Sequence, residues 1–224
     1  MALFENIIGL TKKWEGGLSR DPKDRASKYP SPYTYKGKTG WHTNKGVTYK
    51  TFEIASKKYG FPNTAKNFIE MPDAIWNKIA KGLYWDTQDL DSLKSDGVAF
   101  QLFFSKWAGR TNSKIKSYLE SKQLNWDGTD KTIATTFNKL IDKQGEEKTI
   151  NDLGNLQAQH FIKLNEPTHQ KGWLDRVKDT TSYALKYIKS NIIEPAETQA
   201  KKKSNWLVIG SLIIFAVYFL SKKK

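Results

Sequence analysis

Three carboxyl side chains lie within a span of ten residues, ahead of a run rich in hydroxyls and aromatic rings. These are the residues of the chain best suited to chemistry. Glu15 comes first, in Trp14-Glu15-Gly16-Gly17. Two glycines after a helical run act as a helix stop, which puts Glu15 in the last turn. There the negative end of the helix disfavours a carboxylate and aromatic neighbours desolvate it, so both raise its pKa. A carboxyl that keeps its proton near neutral pH can protonate a leaving sugar oxygen. The plain alternative is a surface acid beside a helix stop.

Asp21 and Asp24 follow six and nine residues later, in Asp21-Pro22-Lys23-Asp24. A helix followed by a returning loop can set such an acid across a cleft from Glu15, and paired carboxylates flanking a bond are what most glycoside hydrolases use. The competing use is an Asx-turn, with Asp21 the more structural of the two. Further on, Thr43-Asn44-Lys45-Gly46-Val47-Thr48-Tyr49 leads into a helix. Thr48 either holds a water by its hydroxyl or caps that helix. Trp41 and His42, with Tyr29, Tyr33 and Tyr35, make the preceding loop aromatic. Such rings suit the CH faces of sugars, or they pack the loop onto the body. Asp21, Trp41, His42, Asn44 and Tyr49 are the candidate substrate-binding residues beside Glu15, Asp24 and Thr48. The chain has no cysteine and only His42, His160 and His169, which excludes thiolate chemistry and makes a histidine-built metal site improbable, so no metal or cofactor is expected.

The elements that must position these residues are mainly helical. Phe4, Ile7, Ile8, Thr11 and Trp14 follow helical spacing and predict a first helix. Further helices are expected over 49–59, 72–84, 92–108, 111–122, 129–143, 150–164 and 172–190. The stretch from Gly97 to Trp107 is apolar on most sides and predicts a central buried helix. Trp107, Trp126, Phe161 and Trp173 are expected as core anchors. Residues 18–47, with three prolines and three glycines among Thr and Tyr, predict loops around a small hairpin. The expected organisation is a catalytic region over 1–95, a helical lobe over 96–190, a polar linker over 191–205 and an apolar segment over 206–221.

That last segment contains WLVIGSLIIFAVYFL, uncharged and flanked by lysine triplets. Fifteen helical residues span roughly 22 Å, short of a hydrocarbon core of about 30 Å. Flanking lysines can snorkel, and Trp206 and Tyr218 suit the interfaces, so a single C-terminal transmembrane anchor is expected. Six lysines and Glu197 give +5 from Ala196 onward, leaving +9 of the total +14 on residues 1–195. A basic body suits a polyanionic setting. With 33 lysines and four arginines, no specific nucleic-acid partner is expected.

The ordered motif E-G-G-x-x-x-D-P-x-D followed by T-N-K-G-V-T-Y-x-T-F resembles the N-terminal motif of the glycoside hydrolase 108 family, muramidases of the lysozyme superfamily. The likeness rests on Glu15-Gly16-Gly17, Asp21-Pro22, Asp24, Thr43-Asn44, Gly46-Val47-Thr48 and Phe52. Val98–Gln101, Asp127-Gly128 and the run 172–177 are similar to a peptidoglycan-binding region usually paired with it. The resemblance covers about residues 4–180. It implies a lysozyme-like helical fold, hydrolysis of the N-acetylmuramic acid–N-acetylglucosamine β-1,4 bond, and Glu15 as the catalytic glutamate. By analogy with phage-type lysozymes, which place an acid nine residues after the glutamate and a threonine beyond it, Asp24 is the helper and Thr48 positions water. In place of the family's short Gly-Gly link the chain has the 18-residue segment Arg25–His42.

The opening stretch MALFENIIGLTKKW has an acid before its first base and no small-residue cleavage site, so it does not predict an export signal. A wall hydrolase joined to a tail anchor then suggests a bacteriophage setting. The enzyme would act in virion entry or lysis, with peptidoglycan, a lipid membrane and virion proteins as partners, in a virion or host membrane. The alternative is a glycan-binding structural protein that does not turn over.

Overall fold

The computed structural model describes residues 4–5, 8–9, 11, 15–109 and 112–190. Residues 1–187 form one compact unit, so the regions over 1–95 and 96–190 share a single body as far as Tyr187. The second unit, 188–224, is described only over 188–190, the end of the last helix. The expected linker over 191–205 and anchor over 206–221 lie outside the described residues. Among those residues, no helix is long and apolar enough to cross a membrane.

The architecture is mainly helical with one small antiparallel sheet. Phe4, Glu5, Ile8, Gly9 and Thr11 have helical backbone, with Phe4, Ile8 and Thr11 buried and Glu5 exposed, the polarity their spacing predicts. Strands β1 (Thr43–Asn44) and β2 (Val47–Thr48) pair Thr43 with Thr48 and Asn44 with Val47. Their two-residue turn puts Lys45 at φ 45° and Gly46 at φ 75°. Two consecutive left-handed residues are what the right-handed twist of a tight hairpin requires.

Helix α1 (Tyr49–Tyr59) starts at the side chain of Thr48, whose hydroxyl accepts the Thr51 N–H, and ends at Gly60 with φ 69°. A short helix not legible in the sequence, α2 (Ala65–Ile69), follows. The helix expected over 72–84 divides into α3 (Asp73–Ala80) and a π-helical turn over Lys81–Trp85. Gly82 lies in that turn because a Cβ there would fall 2.2 Å from the Tyr59 hydroxyl oxygen. The next helix begins later than expected. Leu90–Ser92 is a separate 3-10 turn, and Ser95 caps α4 (Asp96–Trp107) by accepting the Val98 N–H at 3.0 Å.

Gly97 through Ser105 of α4 are all buried, which makes this the central helix. After it come α5 (Asn112–Ser121), α6 (Ile133–Gln144), α7 (Glu146–Leu164) and α8 (Pro167–Ser190), with α7 packed along the central helix and α6 against α7. Two glycines bring α8 close. A Cβ on Gly97 would lie 2.6 Å from the Ala184 carbonyl oxygen, and one on Gly154 would lie 2.4 Å from Thr181 Oγ1. The contact is completed by Gln101, which donates to Thr181 at 3.0 Å, and by Val177 in a cluster with Phe104 and Phe161. Burial of these apolar groups holds α8 against the body at roughly 25 cal/mol per Å².

Candidate active site

Glu15 follows the N-terminal helical segment in irregular backbone, and its side chain is only 8% exposed. Three distant parts of the chain enclose it. The Trp107 indole N–H, from the end of α4, donates to Glu15 Oε1 at 2.8 Å. The Arg176 guanidinium, from α8, stands 3.5 Å from the same oxygen. The hairpin supplies Gly46, where a Cβ would fall 1.9 Å from Oε2. No other residue fits there, because the position also has positive φ. Trp107 is itself fixed between Trp76, 5.2 Å away between ring centres, and Tyr84, 4.7 Å away.

These contacts act on Glu15 in opposite directions. Burial raises its pKa and dominates; the Arg176 charge and the Trp107 hydrogen bond favour the carboxylate and offset part of the rise. The net result is a carboxyl held above the ordinary carboxylate range. Nearby Tyr84 is pushed upward too, first by burial and also by the Glu15 charge, while a hydrogen bond with Thr51 opposes the shift.

Glu15 opens onto a cavity of about 260 Å³ lined by Gly16, Gly17, Lys45, Asp73 and Trp76. Its far wall is tied together. Trp76 Nε1 donates to the Lys45 carbonyl at 2.8 Å, and Lys45 Nζ donates to the Met71 carbonyl at 2.8 Å and lies 3.6 Å from Asp73 Oδ1. Lys45 and Met71 both have positive φ, at 45° and 43°. Lys45 takes its φ from the hairpin turn, whereas Met71 is a non-glycine residue held left-handed where its surroundings fix it.

The other expected site residues take different places. Asp24 is exposed, and its Oδ1 accepts the Ala26 N–H at 2.9 Å, capping the 3-10 turn Arg25–Lys28. Asp21 makes an Asx-turn to the Lys23 N–H at 2.9 Å and borders an open groove with Arg20 and Thr39. Neither acid lines the Glu15 cavity. Thr48 caps α1, and its hydroxyl meets that of Thr51 at 2.9 Å, so the capping alternative describes its contacts. Through Thr51 it connects to Tyr84 rather than to the cavity.

His42 is fully buried, its ring nitrogens 3.0 Å from the Asp21 carbonyl and 3.0 Å from Thr43 Oγ1. Asn44, 3% exposed, donates to the Phe68 and Ile69 carbonyls at 2.8 Å each. Tyr49 is buried against Phe68 and Phe52. Their polar atoms and ring faces serve the interior. Trp41 is half-buried, donates to the Lys38 carbonyl at 2.9 Å and packs beside Arg20.

Sequence reasoning missed Trp107 and Arg176 as partners of the acid. Trp107 was expected only as a core anchor. Its signal was a polar N–H at the end of a helix otherwise apolar, which needs a partner when buried. The signal of Arg176 was rarity, as one of four arginines among 37 basic residues. Trp126 and Phe161 are buried core residues as expected, and Trp173 stacks on Phe161 at 5.1 Å. No group of His, Cys, Asp and Glu that could hold a metal ion is present among the described residues.

Residues 8–108 match the model of the Glycosyl hydrolase 108 family. The matched region includes Glu15, the hairpin and Trp107, and the chain is a glycoside hydrolase. The match supports a lysozyme-like enzyme acting on peptidoglycan. Arg176 lies beyond the matched region. No curated protein matches the chain. Among solved structures, the chain is similar to Brucella abortus SagA, with a TM-score of 0.56 and 22% identity over 82% of this chain and 94% of that one. A likeness at that identity speaks for the fold alone.

Proposed function

We propose that the chain is an N-acetylmuramidase, cleaving the β-1,4 bond between N-acetylmuramic acid and N-acetylglucosamine, with Glu15 as general acid. The observation that carries this reading is the enclosure of Glu15. Oε1 faces two donors that cannot take its proton, the Trp107 indole and the Arg176 guanidinium. The acidic proton is therefore assigned to Oε2, which occupies the room that a side chain at residue 46 would take. Proton transfer from Oε2 to the glycosidic oxygen breaks the C1–O bond and leaves a carboxylate. Arg176 and Trp107 are already placed to stabilise that carboxylate, so no reorganisation is needed during the step.

The setting is proposed on sequence grounds. The lysine-flanked apolar segment 206–221 would hold the enzyme on a membrane, and the +9 body would favour the anionic wall. A bacteriophage virion or lysis role fits a wall hydrolase anchored in this way.

The test uses the full-length chain on purified peptidoglycan, with mass spectrometry of the released fragments. Fragments ending in reducing muramic acid are expected, and Glu15→Gln should lower turnover by about 10²–10⁴-fold. Wild-type turnover by that variant would rule out the assignment. Liposome flotation of the full chain against a chain ending at residue 195 tests the anchor; equal flotation of the two would remove it.

A further inference from the structure

Glu15 supplies a proton, but hydrolysis also needs a group to take one from water. We infer that Asp73 is the second carboxylate of the site and accepts the proton of the attacking water, an inference that rests on the glycosidase reading of Glu15. Asp73 lines the same 260 Å³ cavity as Glu15, from another element, the first turn of α3. Asp24 lies outside that lining, on the surface, with one oxygen capping its own 3-10 turn.

The two carboxyls of the cavity have contrasting surroundings. Glu15 is buried, which raises its pKa, whereas the Asp73 side chain is 70% exposed, stands 3.6 Å from the Lys45 ammonium and sits at the positive end of a helix. Unlike surroundings for two carboxyls in one site divide the acid and base roles between them.

The position of Asp73 is also built. The hairpin that brings Gly46 onto Glu15 is bolted to the start of α3 by two bonds, from Trp76 to the Lys45 carbonyl and from Lys45 to the Met71 carbonyl. Hairpin and helix start are thus tied together at the wall of the cavity that Asp73 and Lys45 share with Glu15. A water takes about 30 Å³, so the cavity has room for one beside a sugar carbon. That arrangement is the one used when a base activates water on the face opposite the leaving group. In the step, Glu15 protonates the glycosidic oxygen as the C1–O bond breaks. Water oxygen bonds to C1 from the other side, and Asp73 takes the water proton. The product sugar is released with inverted configuration.

The experiment compares Asp73→Asn, Asp24→Asn and Glu15→Gln in the full-length chain, with Asp142→Asn as a surface control. Asp73→Asn is expected to lose about 10²-fold or more in kcat with KM nearly unchanged and melting unaltered. Azide, a nucleophile that carries no proton, should restore cleavage and yield a glycosyl azide. Wild-type enzyme should release the α-anomer first, a reading that holds even if the Asp73 variant fails to fold. Turnover by Asp73→Asn within about threefold of wild type, alongside an inactive Glu15→Gln, would overturn the role of Asp73 and leave the glycosidase reading intact. Loss without azide rescue, rescue of Asp24→Asn instead, or release of the β-anomer would overturn it equally. An active Glu15→Gln would instead remove the reading on which it rests.

Discussion

The pocket around Glu15 and the loop from Arg20 to Trp41 adjoin each other in sequence and are built in opposite ways. Glu15 is enclosed by residues 31, 92 and 161 positions away, at Gly46, Trp107 and Arg176. The loop closes largely on itself. Asp21 and Asp24 accept N–H groups two residues on, and Tyr35 pairs with Lys38 across a tight turn. Two acids nine residues apart therefore have different chemistry. Long-range contacts remove water from Glu15 and shift its proton equilibrium, whereas short-range contacts leave Asp24 solvated. Spacing along the chain says which acids are near one another; the body that folds over them says which can work as an acid.

The sharpest way to break this contrast is Gly46→Ala, which drives a methyl group onto Oε2 at a backbone angle hostile to alanine. Displacing a reacting group by this much should lower kcat by about 10²-fold. Undiminished turnover would mean that Oε2 is not the working oxygen.

Next is Asn44→Ala, which strands two buried carbonyls. It is expected to cost about 2 kcal/mol in urea unfolding, with KM for glycan unchanged. A raised KM at unaltered stability would return Asn44 to the substrate surface.

Arg176→Met removes the charge that favours ionised Glu15, so the alkaline limb of the pH–rate profile should move to higher pH. An unmoved limb would reduce Arg176 to a packing residue. The same shift makes a stability prediction for the wild type. Glu15 holds its proton more tightly folded than unfolded, so its contribution is complete below its ordinary value of 4.5 and is lost as pH rises through the raised folded value.

The smallest effect is expected for Asp24→Ala, about 1 kcal/mol from the lost cap, while Asp24→Asn should retain it. Calorimetric melting separates the two.

Much of the helical framework was legible because it rests on local signals. The bare apolar run of α4, the presence of a small hairpin ahead of α1 and the option of a Thr48 cap follow from residue type and spacing. Glu15 was legible as an acid before two glycines. The boundaries that shifted have local steric causes. Gly82 lets the end of α3 widen into a π turn against Tyr59, and Ser95 caps α4 three residues after the helix was expected to begin. The partners of Glu15 were not legible, since nothing near residue 15 indicates that Trp107 or Arg176 returns to it. The buried state of His42, Asn44 and Tyr49 was hidden for a similar reason. Aromatic and amide side chains look alike in sequence whether they meet a sugar or, as Asn44 does here, the carbonyls of Phe68 and Ile69.

The separation between Glu15 and Arg176 has a consequence for the cell that makes the protein. The glutamate is made 161 residues before the guanidinium on α8 that favours its ionised form. A chain cut before α8 leaves Glu15 without that guanidinium. Synthesis therefore delivers the acid well before the cation that tunes it, and the proton affinity of Glu15 is set only once α8 is in place.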